Sequence, residues 1–297
     1  MVLSCKSMPL YRLDTSPELD APVLIAAFDA WVDAGAAGTT AAEQIAGDGA
    51  VVATFDGDRL FDYRARRPTL DIVDGTLVDL DWPELVLRSS RLGGKDLLVL
   101  SGPEPDYRWR ELASDVADLA KRLGVASWVS LGAIPAAVAH TRPVPILGTA
   151  SVAGLLPDDV QQGPVGRLRV PSAALSVLEL AVARSGIPAV GFYAQVPHYV
   201  NGAYPNATIE LLGHVGRYLG VDVPLGELPV RALETRNMID AAAASDSRTR
   251  EYVEQLEKMA DEARLPAGDE LIADIERFLR NREGGSGEGD EGGSRLN

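Results

Sequence analysis

Cysteine, lysine, histidine and long apolar runs are all scarce in this sequence, and each scarcity removes a class of function. The one cysteine in 297 residues, Cys5, cannot build an internal disulfide framework and fits a reducing compartment. No apolar run approaches the roughly 20 residues that a membrane-spanning helix needs. Met1–Pro9 lacks the apolar centre of a secretory signal. The expectation is a cytoplasmic protein without a membrane partner. The lysines (Lys6, Lys95, Lys121 and Lys258) are too few and too scattered to hold nucleotide phosphates, and no glycine-rich loop carries a Lys-Ser or Lys-Thr pair. A dinucleotide fingerprint, cysteine pairs and a His-Glu-x-x-His helix are also missing, so neither cofactor nor metal is expected. Ser101 precedes Gly102 without the strained elbow of a nucleophile. Basic charge is short as well. A net charge of −15 argues against nucleic acid, which needs a basic face, and favours simple solubility.

What is present is apolar alternation. With 46% hydrophobic residues the chain can bury a large core, and a chain of this length hides about three-quarters of its unfolded surface. Strand-like runs at Val23–Phe28, Ala50–Phe55, Asp96–Ser101, Val125–Leu131, Pro145–Ala150 and Ile187–Ala194 are expected, with one or two more between Leu70 and Ser90. Helical spacing recurs over Ala34–Ala46, Tyr107–Leu123, Ser172–Ser185 and Pro205–Leu219. Gly124 suits a left-handed helix end, and Pro205 a first-turn position. This alternation predicts an α/β fold, a three-layer sandwich around a mostly parallel or mixed sheet. After Pro229 the pattern turns all-helical over Val230–Ala244, Arg248–Arg264 and Ala267–Leu279. The expected organisation is a core domain at 1–229, a C-terminal helical extension at 230–282 that packs on the core or on a neighbouring subunit, and a disordered acidic Gly/Ser tail at 283–297.

Four polar clusters follow strand-like runs, where open α/β sheets place their crevice. The first carries Asp29 and Asp33 before a small-residue helix. Asp33 can cap that helix, whereas a phosphate cradle with two aspartates and no lysine would repel its ligand. The second, Gly102–Arg110, holds Glu104 between two prolines beside Asp106 and Arg108. Asp106 is expected to serve the next helix. Glu104 can act as acid or base, present a polar interface, or pair locally with Arg108 or Arg110. The third and fourth place His140 and Arg142, then His198 and Tyr199. Each histidine suits proton transfer or a structural hydrogen bond. His214, inside an apparent helix, reads as structural.

Taken together, Phe28–Gly35, Gly-Pro-Glu-Pro-Asp-Tyr-Arg-Trp at 102–109, His-Thr-Arg-Pro at 140–143, Pro171-Ser172-Ala173 and Pro-His-Tyr-Val at 197–200 resemble the signature segments of the proteasome assembly chaperone 2 family, in its actinobacterial-type branch. The similarity spans residues 8 to 280. It implies a nucleoside-phosphorylase-like sandwich assembled as a homo-oligomer, a trimer. It also implies a protein-binding or assembly role, with proteasome subunits as candidate partners. Some proteasome-binding relatives end in a hydrophobic residue, a tyrosine and any residue, a pattern from which Ser294-Arg295-Leu296-Asn297 departs. The alternative is a small-ligand-binding protein or a hydrolase- or phosphorylase-like enzyme at the carboxyl edge of the sheet. Asp29, Asp33, Glu104, Asp106, Arg108, His140, Arg142, His198 and Tyr199 would then line either a crevice or a subunit interface.

Overall fold

Val23–Asp29 is apolar on both faces, a pattern that only a strand covered from two sides can satisfy. Leu24, Ala26 and Phe28 point into one core layer, while Ile25 and Ala27 point into another. The structure, a computed structural model, describes residues 8–29, 31–158, 160–163 and 166–264. The expected segment Ala267–Leu279, the tail from Glu283 and Cys5 lie outside the described residues.

In chain order the strands are β1 Tyr11–Leu13, β2 Val23–Asp29, β3 Val51–Phe55, β4 Thr69–Val73, β5 Thr76–Asp81, β6 Val86–Leu92, β7 Lys95–Pro103, β8 Ser127–Ala136, β9 Ile146–Ala150, β10 Gln161–Gln162 and β11 Ala189–Pro197. The helices are α1 Ala37–Ala46, α2 Gly57–Leu60, α3 Trp109–Arg122, α4 Ala174–Arg184, α5 Pro205–Leu219, α6 Leu228–Ser245 and α7 Ser247–Arg264. Nine strands form one mixed sheet in the order β1-β3-β6-β7-β2-β8-β11-β9-β10. Its centre, β7-β2-β8-β11, is parallel, and antiparallel strands flank it on both sides.

Helices cover both faces, as a buried parallel centre requires. On one face α3 turns Leu112, Val116, Leu119 and Ala120 inward, and α4 adds Leu175, Leu178 and Val182. On the other face α1 and α5 pack, with Ala41, Ile45, Leu211 and Val215 buried. The small residues of α1 let it approach closely: a Cβ at Gly38 would lie 2.8 Å from the carbonyl oxygen of Leu131 in the sheet. The expected three-layer α/β sandwich is therefore the fold. Gly124 takes a left-handed φ of 69° after α3, and Pro205 opens α5. The described residues from Leu228 onward form α6 and α7, with α6 packed against α5 and α7 against α6. Among the described residues no helix is long and apolar enough to cross a membrane.

The region Leu70–Ser90 holds three strands, β4, β5 and β6. The first two stand apart from the main sheet as a hairpin. Asp74 and Gly75, both at positive φ (50° and 78°), form its tight turn, the geometry that an Asp-Gly pair favours.

Candidate functional site

The four polar clusters follow the carboxyl ends of β2, β7, β8 and β11. Because these strands are parallel, all four clusters arrive at one edge of the sheet. There they divide into two groups, with Asp33 between them.

In the first group, Arg66 Nη1 donates to Asp29 Oδ2 at 2.9 Å, and the backbone N–H of Glu104 donates to the Asp29 carbonyl at 3.2 Å. Glu104 Oε1 accepts the N–H of Ala174 at 2.7 Å. It thereby serves the start of α4, whose N-cap residue Ala173 has no side-chain acceptor. Neither Arg108 nor Arg110 is its partner: Arg108 donates to Glu111 at 2.8 Å, and Glu111 also accepts from Arg59 at 2.7 Å. Asp106 does not cap α3. It lies before the left-handed turn at Arg108 (φ 58°) and accepts the N–H of Asp62 at 2.8 Å.

Asp33 caps α1. Its Oδ1 accepts the N–H groups of Gly38 at 2.7 Å and Thr39 at 3.2 Å, and its Oδ2 accepts the Thr39 hydroxyl at 2.5 Å. Burial pushes its carboxyl above the ordinary range, and these three hydrogen bonds oppose that shift.

The second group joins β8 and β11 to the C-terminal helices. His140 is 2% exposed and lies between Tyr199 and Asp240. The Tyr199 hydroxyl accepts the His140 backbone N–H at 2.9 Å and donates to Nδ1 at 2.7 Å. That leaves Nε2–H to donate to Asp240 Oδ1 at 3.0 Å. Burial, helped by the Arg236 cation, holds the His140 ring below its ordinary pKa although Asp240 pulls it upward. The neutral ring is the form that this hydrogen-bond pattern uses. Burial pushes the Asp240 carboxyl up, but hydrogen bonds from His140 and Arg236 and the guanidinium charge leave it below its ordinary value. Burial likewise raises the Tyr199 phenol.

Arg142 is held by α7. It donates twice to Asp261 at 2.8 Å, and again to Glu257 Oε1 at 3.2 Å, while Thr141 also donates to Glu257. His198 donates from Nδ1 to the Ala136 carbonyl at 3.1 Å, and its ring stands edge-on to Tyr199 and Tyr252. His214 Nδ1 bonds the Glu210 carbonyl at 2.9 Å within α5, a structural role.

The structure thus gathers His140, Arg142, His198 and Tyr199 under α6 and α7. It keeps Asp29 and Glu104 in a separate cluster and turns Asp106 and Arg108 toward solvent. Arg236, Asp240, Glu257 and Asp261 complete the site and had one sequence signal: each pair is spaced four residues apart, so its members share a helix face. No such signal marks Glu179 of α4. It accepts from Ser130 at 2.6 Å, Thr149 at 3.2 Å and Tyr193 at 3.3 Å, and so pins α4 to β8, β9 and β11. Beside Tyr199 a depression of about 630 Å³ is walled by Met238, Ile239 and Ala242 of α6, a lining suited to apolar contact rather than to charge. Among the described residues no group of His, Cys, Asp or Glu side chains is placed to hold a metal ion.

The model of the PAC2 family matches residues 27–243. The chain is similar to a protein of unknown function from Corynebacterium glutamicum, at 32% identity over 85% of this chain and 97% of that one, with a TM-score of 0.79. It is also similar to a proteasome-assembly chaperone homologue from Mycobacterium tuberculosis, at 35% identity over 78% and 99% of the two chains and a TM-score of 0.71. A PAC2 family protein from Streptomyces avermitilis is 36% identical over 78% and 99%, with a TM-score of 0.70. No curated protein matches the chain.

Proposed function

The chain belongs to the PAC2 family and is a proteasome-assembly-chaperone-like protein; from that premise we propose that it works by binding proteins. Its own copies, assembled as a trimer, and proteasome subunits are the partners, and the cytoplasm is the compartment. One observation carries this reading: the groups that could do chemistry at the carboxyl edge are already engaged within the chain. Arg142, the candidate anion holder, is bound by Glu257 and Asp261, and Glu104, a candidate base, caps α4. His140 is buried between Tyr199 and Asp240. A hydrolytic or phosphorolytic site would need several of these groups released together. Apolar exposure supports a binding role instead. Val230, Leu233 and Met238 on α6 and Met259 on α7 are all more than half exposed (57–66%).

The test is to tag the chain, crosslink it in native lysate of its host and identify what is recovered. Proteasome α- or β-subunits in stoichiometric amounts, lost when α6 and α7 are removed, are the expected result. Recovery of the chain alone, together with binding of a nucleoside or small anion that Arg142→Ala abolishes, would overturn the proposal.

A further inference from the structure

The β4–β5 hairpin has no business standing alone. A two-stranded hairpin is marginal at best in water, and among the described residues this one pairs with no other strand, which leaves both of its outer edges open there. Tyr63 and Trp82, whose rings meet at 4.8 Å, anchor only its base.

Its two faces differ. The register sets Leu70 opposite Leu80 and Ile72 opposite Leu77, with Val78 as the extra residue of a bulge, so one face is apolar. These side chains are 37–68% exposed. The other face sets Asp71 opposite Asp79 and carries Asp81. Residues 69–82 hold four aspartates and no cation.

A second stretch of the chain complements the hairpin on both counts. Gly166–Val170 reads Gly-Arg-Leu-Arg-Val and lies exposed just before α4. It belongs to no helix or strand, and none of the described backbone hydrogen bonds outside helices and strands involves it. In an extended conformation Arg167 and Arg169 would share one face, and Leu168 and Val170, 61% and 65% exposed, the other. Residues 160–173 hold these two arginines and no anion.

We propose that the hairpin of one copy takes residues 166–170 of a second copy as a third strand, with arginines over the aspartate face and Leu168 and Val170 over the apolar face. The occupant is a second copy of this chain because the positive charge, the apolar alternation and the backbone groups outside any helix or strand that would complement the hairpin are all present in the chain itself. The two contacting surfaces differ, so the contact is head-to-tail and closes into a ring when the rotation allows. The inference rests on the self-assembling reading above and names the surface that performs it.

The test is sedimentation of the full chain and of charge reversals. Arg167→Asp with Arg169→Asp should weaken association on the order of a hundredfold, and so should Asp79→Arg with Asp81→Arg, because each sets like charges opposite one another. Combining all four should restore assembly. An oligomeric wild type that neither reversal disturbs would overturn this inference and leave self-assembly standing, whereas a monomeric wild type would overturn both. Reversals that dissociate the oligomer without rescue in the combined variant would refute the pairing of these two segments. Should a reversal fail to fold, hydrogen exchange on the wild type decides. Amides of 69–81 and 166–170 should gain protection as concentration rises, and protection that ignores concentration would refute the contact.

Discussion

Replacing Glu104 separates a structural carboxylate from a reactive one. Its Oε1 accepts the first amide of α4 at 2.7 Å, and α4 contributes Leu175, Leu178 and Val182 to the core. Glu104→Ala removes a charge-assisted hydrogen bond, worth about 1.5–3 kcal/mol, and an anion at a helix N-terminus, worth about 0.3–1 kcal/mol. The two overlap and Glu104 is only half-buried, so about 2 kcal/mol is the expected loss. In a chain of this size that lowers Tm by roughly 3 °C. Glu104→Gln keeps an acceptor oxygen and loses the charge, so its cost should be about half as large. Urea unfolding monitored by far-UV circular dichroism at neutral pH gives both values. Wild-type stability in both variants would refute the capping role and return Glu104 to the pool of groups free for chemistry.

Acidification should loosen α6. The His140 ring, lowered by burial and surrounded by Asp240, Arg236, Glu257 and Tyr199, favours its neutral form in the fold. Its stabilising contribution is therefore present above the unfolded value of about 6.5 and is lost as the pH falls through the lower folded value. The protection factors of α6 amides, taken relative to the unstructured exchange rate at each pH, should fall as the pH drops below about 6.5, and His140→Gln should flatten that response. Arg142→Ala should change global stability little, because its ion pairs are partly exposed. Proteolysis within α7 should nevertheless rise several-fold, and unchanged cleavage would show that Arg142 does not hold the helix. Gly102→Ala should destabilise by about 3 kcal/mol or more, because φ is +146° there and the added Cβ would lie 2.2 Å from the Glu84 carbonyl oxygen. Full expression and a wild-type Tm would refute that estimate.

The layered α/β fold was legible because its signals are local. Val23–Phe28 and Asp96–Ser101 are apolar on both faces, and the residues of α3 recur every three or four positions, whatever they pack against. The arrival of Asp29, Glu104, His140 and His198 at one edge was legible too, since parallel strands put their carboxyl ends together. The hairpin carried a readable signal in Asp74-Gly75, but its detachment from the sheet did not. Alternation shows that a strand has an apolar face, not whether anything covers it.

What the sequence by itself determined is the family, the alternation of strands and helices, and that four polar clusters each follow a strand. Only the tertiary structure decided what those residues do. Asp106 turns to Asp62, Glu104 reaches α4 across 70 positions, and Arg142 meets Asp261 across 119. Partners so far apart in the chain are set by how helices pack on the sheet, and side-chain spacing carries no record of that.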